Sequence, residues 1–431
     1  MSRTIGRTFA SLAIPNYRRY FAGQVVSISG NWMQNVAEMW LIVQITGSGV
    51  SVGITAALQF VPVLLFGAWG GLLADRVDKR RLLSITQCLM ALPALTLFAL
   101  AVDGSVATWV VYALVLTRGA VNAIDNPARQ AFVIEMVGPE RVVNAVSLNS
   151  VIVHSSRIIG PAAAGALIAL AGVAICFLVN ALSFVAMLVA LRSMDPARLS
   201  RPVPAAREGG QLRSALRYVR RTPELSVPLA MMALVGTVSF NFQVLLPLFA
   251  RFTWHGTATT YTALTAVMAV GSVLGALAAS TRVRITPRLL IGAAFGFGVA
   301  ELAVAAAPTL PVMLVLLVPL GAVSVTFAAG VNSALQLAVD PAMRGRVMSL
   351  YSIVFLGSTP IGAPLVGWLA EAHGPRAGIL AGAAAAFVAA GGAVVAQRRL
   401  AGGRRAAPRR LGSAHGRRHR VRVAALPRAR R

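Results

Sequence analysis

Asn31, Gln34, Asn35 and Glu38 fall at i, i+3, i+4 and i+7 in the stretch GNWMQNVAEMWLIVQ, so a helix carries all four on one face. The stretch is otherwise mostly apolar. A polar stripe on an apolar helix calls for a wet cavity, and its carboxyl leaves three roles open: carrying a proton, contacting a substrate, or sitting among headgroups. A second cluster lies in TRGAVNAIDNPARQAF, where Arg118 precedes Asp125 and Arg129. An arginine in hydrocarbon is expensive, so Arg118 should face a partner or water. Asp125 and Arg129 stand four apart and can pair along one helix. Asn241, Gln243, Asn332 and Gln336 are further polar residues in apolar surroundings that could line a cavity, with Trp32, Met33, Phe240 and Phe242 offering apolar contact. Glu301 is another isolated acid, and His154 reads as a packing residue. No H-E-x-x-H, Cys/His metal cluster, Walker loop or G-x-S-x-G occurs, so no catalytic residue, metal or cofactor is expected and the chain is not read as an enzyme. Cys88 and Cys176, the only cysteines, read as packing residues.

The elements that hold these residues follow from hydropathy. The 431 residues have a mean hydropathy of +0.73 and are 12% charged, against about 25% for a soluble chain. Twelve apolar runs, each long enough to cross a bilayer as a helix, are expected near 20–45, 51–74, 82–103, 106–131, 142–170, 172–192, 224–250, 258–281, 286–307, 310–336, 346–370 and 377–397. Unbroken runs of this length satisfy their backbone in lipid as helices, so an all-α membrane protein is expected.

The net charge of +27 is distributed by topology. Of the 40 basic residues, 36 fall in, or within three residues of, the N-terminus, the even-numbered connections and the C-terminal segment; the exceptions are Arg118, Arg157, Arg251 and Arg376. Basic residues are retained in the cytoplasm during insertion, which places both termini there, in a multi-pass cell-membrane protein without an apparent cleavable leader. The basic connections and tail should lie against anionic lipid. Nucleic acid is not expected as a partner.

Four regions are expected: a six-helix half at 1–192, a linker at 193–223 with a basic surface helix near Leu212–Arg221, a second six-helix half at 224–398, and a basic disordered tail at 399–431. The halves repeat. At an offset of 202, Gly119 meets Gly321, Pro139 meets Pro341, Ser147 meets Ser349, Ser150 meets Ser352, Gly160 meets Gly362 and Gly165 meets Gly367, with no gap. Six spans per half give both halves one orientation, a parallel repeat about an axis along the membrane normal.

The loop Gly71-x-x-x-Asp75-Arg76-x-x-x-Arg80-Arg81, with the twelve spans and the repeat, resembles the major facilitator superfamily over about residues 15–398. Asp78 stands where that motif usually has Gly. The resemblance implies that Asp75 and the loop arginines latch the halves together when the outer side is open, with Asp75 near the start of span 11 and Arg129 as a partner. Arg118 resembles the span-4 arginine associated with proton coupling in exporters of the family. Gly160, Pro161 and Gly165 resemble its antiporter motif in span 5, although Ala164 and Ser156 replace usual glycines. NYRRYFAGQVVSISGNWMQNVA and IDNPARQAFV resemble its enterobactin-exporter-like and macrolide-efflux-like branch. The implied activity is export of amphipathic small organic molecules of drug or siderophore type by proton antiport and alternating access, with Glu38, Arg118 and Asp125 coupling protons. The alternatives are a lipid translocator or importer of the same fold, or a membrane receptor or scaffold that transports nothing.

Overall fold

The computed structural model describes residues 9–200, 211–280 and 286–406. Its first six long helices are α1 Pro15–Thr46, α2 Gly49–Arg76, α3 Lys79–Asp103, α4 Thr108–Val137, α5 Val142–Ala171 and α6 Ala174–Arg192. A short helix, α7 Gln211–Arg221, leads into α8 Pro223–Val238, α9 Phe242–Leu248 and a π-helical turn, Phe249–Thr253. Then come α10 Ala258–Ser280, α11 Pro287–Ala305, α12 Leu310–Ala338, α13 Arg344–His373 and α14 Pro375–Ala406. Among the described residues ten segments are long and apolar enough to cross a membrane, α8 and α9 counting as one. The other two long helices, α1 and α4, are of matching length, at 32 and 30 residues, and hold Glu38, Arg118, Asp125 and Arg129. Their polar side chains lower their hydropathy, and with them the set matches the twelve expected spans.

Local chemistry sets the helix ends. Proline opens α1, α8 and α11, where its missing N–H costs nothing. Gly47 and Gly104 close α1 and α3 in the left-handed conformation. Asp78 caps α3 by accepting from the Arg81 backbone N–H at 3.0 Å, which is why an acid serves at the loop position usually held by Gly. One expected boundary is wrong: α14 runs to Ala406, past residue 398, because its alanines and arginines are good helix formers. The remainder of the expected tail, 407–431, and residues 201–210 of the linker lie outside the described residues.

One packing pattern is used twice. In the first half α1 packs on α5 and α6, α3 on α6, and α2 on α4. In the second, α8 packs on α13 and α14, α11 on α14, and α10 on α12. The halves meet through α2 on α13 and, symmetrically, α5 on α10. The glycines of the repeat explain how. A Cβ on Gly119 would meet the Gln59 carbonyl of α2, and one on Gly321 the Met268 carbonyl of α10. Gly160 faces Trp32 and Ser29 of α1, and Gly362 faces the Thr237 carbonyl of α8. Gly165 abuts Thr262 of α10, and Gly367 abuts the Gly49 carbonyl of α2. Each pair occupies equivalent sites, so the structure is the major facilitator fold: two six-helix bundles related by a pseudo-two-fold axis.

The same repeat exposes a cleft. On α5, residues 147, 150, 154, 157, 161 and 165 form one stripe; their mates on α13 are 349, 352, 356, 359, 363 and 367. Gly165, Ala363 and Gly367, at the end away from the basic connections, are packed against the other half, and Pro161 beside them is buried. Ser147, Ser150, Ser349 and Ser352, toward the basic face, are exposed. The bundles are therefore closed on one face and parted on the basic one. At the closed face Trp40 stacks on Tyr261 with centroids 6.2 Å apart, and Glu371 of α13 accepts from Ser48 Oγ at 2.6 Å and from the Val50 N–H at 3.0 Å, across the start of α2. A carboxylate there complements the helix N-terminus.

A Cβ on Gly53 would meet the Ala363 backbone of the other half. Gly53→Val is therefore expected to part the closed face. In a Cys88→Ser background, a cysteine replacing the buried Thr262 should react with a membrane-impermeant maleimide several-fold faster once Gly53→Val is added; an unchanged rate would mean this contact does not hold the face shut.

Candidate functional site

Three helices deliver one polar cluster into the first bundle. Glu38 of α1 and Arg118 of α4 are both buried and form an ion pair through Oε2 and Nη2. The other carboxylate oxygen of Glu38 accepts from Gln34 Nε2 at 2.7 Å, one turn back. The Gln34 carbonyl oxygen accepts in turn from Asn180 Nδ2 of α6, and Ser183 Oγ donates to the Asn180 side chain at 2.8 Å. Gly30 makes room, since a Cβ there would strike Asn180 and Ser183. Asn35 accepts from Gln59 Nε2 of α2 at 2.7 Å. The stripe read from the sequence is real, but Gln34, Asn35 and Glu38 are taken up by α2, α4 and α6. The expectation that Gln34 and Asn35 line a cavity needs correction. A buried ion must have its remaining valences filled, and Gln34 does so for Glu38, while Asn35 is held by Gln59; Asn31 alone of the four is partly exposed.

Asp125 lies apart from that pair. It accepts from Thr86 Oγ1 at 2.6 Å and Gln87 Nε2 at 3.0 Å on α3, and pairs with Arg129 one turn along α4. The structure therefore joins Glu38 to Arg118 but does not bring Asp125 to Arg118. Arg129 likewise pairs with Asp125, and among the described residues its two terminal nitrogens have no hydrogen-bond partner. The nearer acid on the same helix face wins.

The loop motif is used mostly within the first half. Asp75 and Gly71 are half-buried near the end of α2, and Arg76 is exposed. Arg80 donates to the carbonyls of Leu191 at 2.7 Å and Arg192 at 2.9 Å, capping the C-terminus of α6, where unsatisfied carbonyls attract a cation. Lys79 forms a buried pair with Glu135 at 2.7 Å, joining the start of α3 to the end of α4. That pair was not read from the sequence; the only hint was that a single lysine stands among the arginines. Pro161 is buried in the α5 motif between Gly160, on α1, and Gly165, on α10.

In the second half, Asn241 does not line a cavity. It is buried in the break between α8 and α9, where Nδ2 donates to the carbonyls of Thr237 at 2.8 Å and Val238 at 3.1 Å that the interrupted helix leaves free. Gln243 is half-buried. Gln336 is exposed and donates to Asn332 Oδ1 at 2.6 Å, so these two remain on an accessible face of α12. Glu301 is fully buried beside Gly382, and neither of its oxygens has a hydrogen-bond partner among the described residues. No group of His, Cys, Asp or Glu with the geometry of a metal site occurs among the described residues.

The chain is similar to several transporters. The staphyloferrin A transporter of Staphylococcus aureus is 26% identical over 373 residues, covering 82% of this chain and 89% of that one. The multidrug efflux pump Tap of Mycolicibacterium fortuitum is 29% identical, with 82% and 88% covered, and the enterobactin exporter EntS of Citrobacter koseri 27% identical, with 82% and 85% covered. Among solved structures, the nucleoside transporter NupG superposes with a TM-score of 0.68 at 12% identity, over 90% of this chain and 98% of that one. A bacterial homolog of the lysosomal transporter Spinster, inward-facing and unoccupied, gives 0.68 at 15% identity, over 89% and 97%. The family model described as transmembrane secretion effector matches residues 6–410. With the fold and these relatives in agreement, the chain belongs to that family of major facilitator transporters and is a multi-pass membrane transporter, not an enzyme.

Proposed function

We propose that the protein exports amphipathic small organic molecules across the plasma membrane in exchange for protons, by alternating access, with both termini in the cytoplasm. The observation that carries this reading is the buried Glu38–Arg118 pair, which joins α1 to α4 in a bundle whose neighbour is closed against it on one face only. The distribution of basic residues supports assigning the parted face to the cytoplasm. The names of the relatives, two multidrug or siderophore exporters among them, support export and this substrate class.

Glu38 is the proton carrier in this scheme. It faces Arg118 and Gln34, and among the described residues no other charged group is bonded to it. Protonation removes the charge that holds Arg118 and frees α4 relative to α1. Asp125 and Arg129 form a second station nearer the basic face, where protons enter or leave. Residues 1–192 and 224–398 move as two units joined by the linker 193–223. Arg80, Asp75 and Arg76 engage the second half in the opposite state, when the basic face closes and Asp75 approaches the N-terminus of α13. The basic connections and α7 rest on anionic lipid.

Purified protein in liposomes provides the test. Substrate-dye transport driven by a pH gradient should fall in Glu38→Gln by at least about tenfold, the equivalent of about 1.4 kcal/mol in the barrier. Glu38→Gln also leaves Arg118 buried without its partner, which costs about 3–5 kcal/mol. The double variant Glu38→Gln/Arg118→Gln should recover thermal stability and still fail to respond to the gradient. Wild-type transport that ignores the gradient, or a gradient response that survives in the double variant, would sink the antiport assignment.

Asp125→Asn gives a different outcome under the same reading. Turnover should slow and its pH profile should shift, while the requirement for a gradient persists. Dye flux measured across a pH series would show it, and a lost gradient requirement would make Asp125 a principal carrier.

A further inference from the structure

We propose that Arg157 anchors the anionic group of the transported molecule, so that the protein prefers organic acids with an apolar, aromatic body over their neutral analogues; this rests on the export reading above. Arg157 lies mid-way along α5, about 21–22 Å of helix from either end. That distance is too great for its side chain to reach the headgroups. It is surrounded by protein atoms and yet exposed, as a side chain lining a deep cleft is and one facing lipid is not. Its stripe gives the direction. Four residues on, Pro161 is buried, and eight on, Gly165 is packed on the other half; ten residues back, Ser147 is open. Arg157 therefore stands where the cleft narrows to its closed end.

Its charge has no structural use among the described residues. Arg118, Arg129 and Lys79 each have a carboxylate, but among the described residues none lies within ion-pair distance of Arg157. Its guanidinium sits 5.1 Å from the centre of the Trp32 ring, a contact that orients the group without neutralising it. The two-fold mate of Arg157 is Thr359, so the scaffold does not require a cation at this site. A guanidinium with free donors at the narrow end of a cleft recognises carboxylate or phenolate by charge-assisted hydrogen bonds. The second half offers the apolar wall: Phe355 is exposed, with Tyr351 stacked at 5.9 Å and Phe240 edge-on at 6.3 Å. A cation on one wall and rings on the other suit an aromatic acid.

The test compares 2-naphthoate with 2-naphthamide, equal in size and differing in charge, by tryptophan quenching of the purified full chain. The acid should bind about tenfold more tightly than the amide. Arg157→Gln should bring the acid to the level of the amide, and Arg157→Lys should keep part of the preference. Equal binding by the wild type, or an acid preference that survives in Arg157→Gln, overturns this assignment alone. So does displacement of 2-naphthoate by equimolar phosphatidylglycerol, which would give the guanidinium to a lipid headgroup. Failure of the export reading is seen separately, as absence of gradient-driven dye flux in the wild type.

Discussion

A charge carried into the middle of a bilayer-spanning bundle must be answered there, and Arg118 is answered by Glu38. Much of the first half follows from that requirement. The pair brings α1 and α4 to one depth, and the free oxygen of Glu38 draws in Gln34, which draws in Asn180 of α6. Gly30 gives α6 the room to arrive, and Gly119 lets α4 lie against the carbonyls of α2, from which Gln59 reaches back to Asn35. Small residues and polar side chains thus act together. The first permit close backbone approach and the second give it a direction, in a solvent where apolar contact alone does not distinguish one helix from another.

Among the described residues, the second half keeps the architecture without the buried ion pairs, retaining Glu301 as a lone buried acid. At the position equivalent to Arg118 stands Leu320, fully buried, and at that of Pro161 stands Ala363. In place of a polar network the core holds packed rings: Phe297 contacts Phe240, Phe242 and Phe327 at centroid distances of 5.2, 6.1 and 6.5 Å. The backbone contacts of the repeat survive, because they depend on glycine and not on the side chains that diverged. The first half holds the buried ion pairs, and the second a core of packed rings.

Much of this was legible in the sequence, and the reason is physical. In lipid a helix must be long and apolar, so length and hydropathy locate it to within a few residues; α14 overran its expected end because hydropathy marks where a helix leaves the membrane and not where it ends. The repeat was legible because glycines at helix crossings tolerate no replacement by a side chain. Partner choice was not legible. Asp125 had Arg118 and Arg129 within reach along the sequence, and packing against Thr86 and Gln87 turned it to Arg129. Asn241 read as a cavity residue, yet it satisfies carbonyls at a helix break that no hydropathy pattern announces. Lys79 and Glu135 lie 56 residues apart and meet only because α3 folds beside α4.

The closed face is made of the kind of contact that can part. Gly49 and Gly53 lie against the backbone of Gly367 and Ala363, and Gly165 against Thr262. Apart from the Trp40–Tyr261 stack, these contacts set small groups against backbone, so few large side chains are withdrawn when they separate. Cavity formation is what makes a packed core resist opening, at about 2–5 kcal/mol for each large side chain withdrawn. The tie across the rim, Glu371 on the start of α2, is exposed and can exchange its partners for water. Helix α1 also reaches this seam through Trp40, two residues beyond Glu38, stacked on Tyr261 of the other half. A shift of α1 that follows a change of charge at Glu38 therefore arrives directly at the seam, through one rigid helix, with no further element needed to carry it.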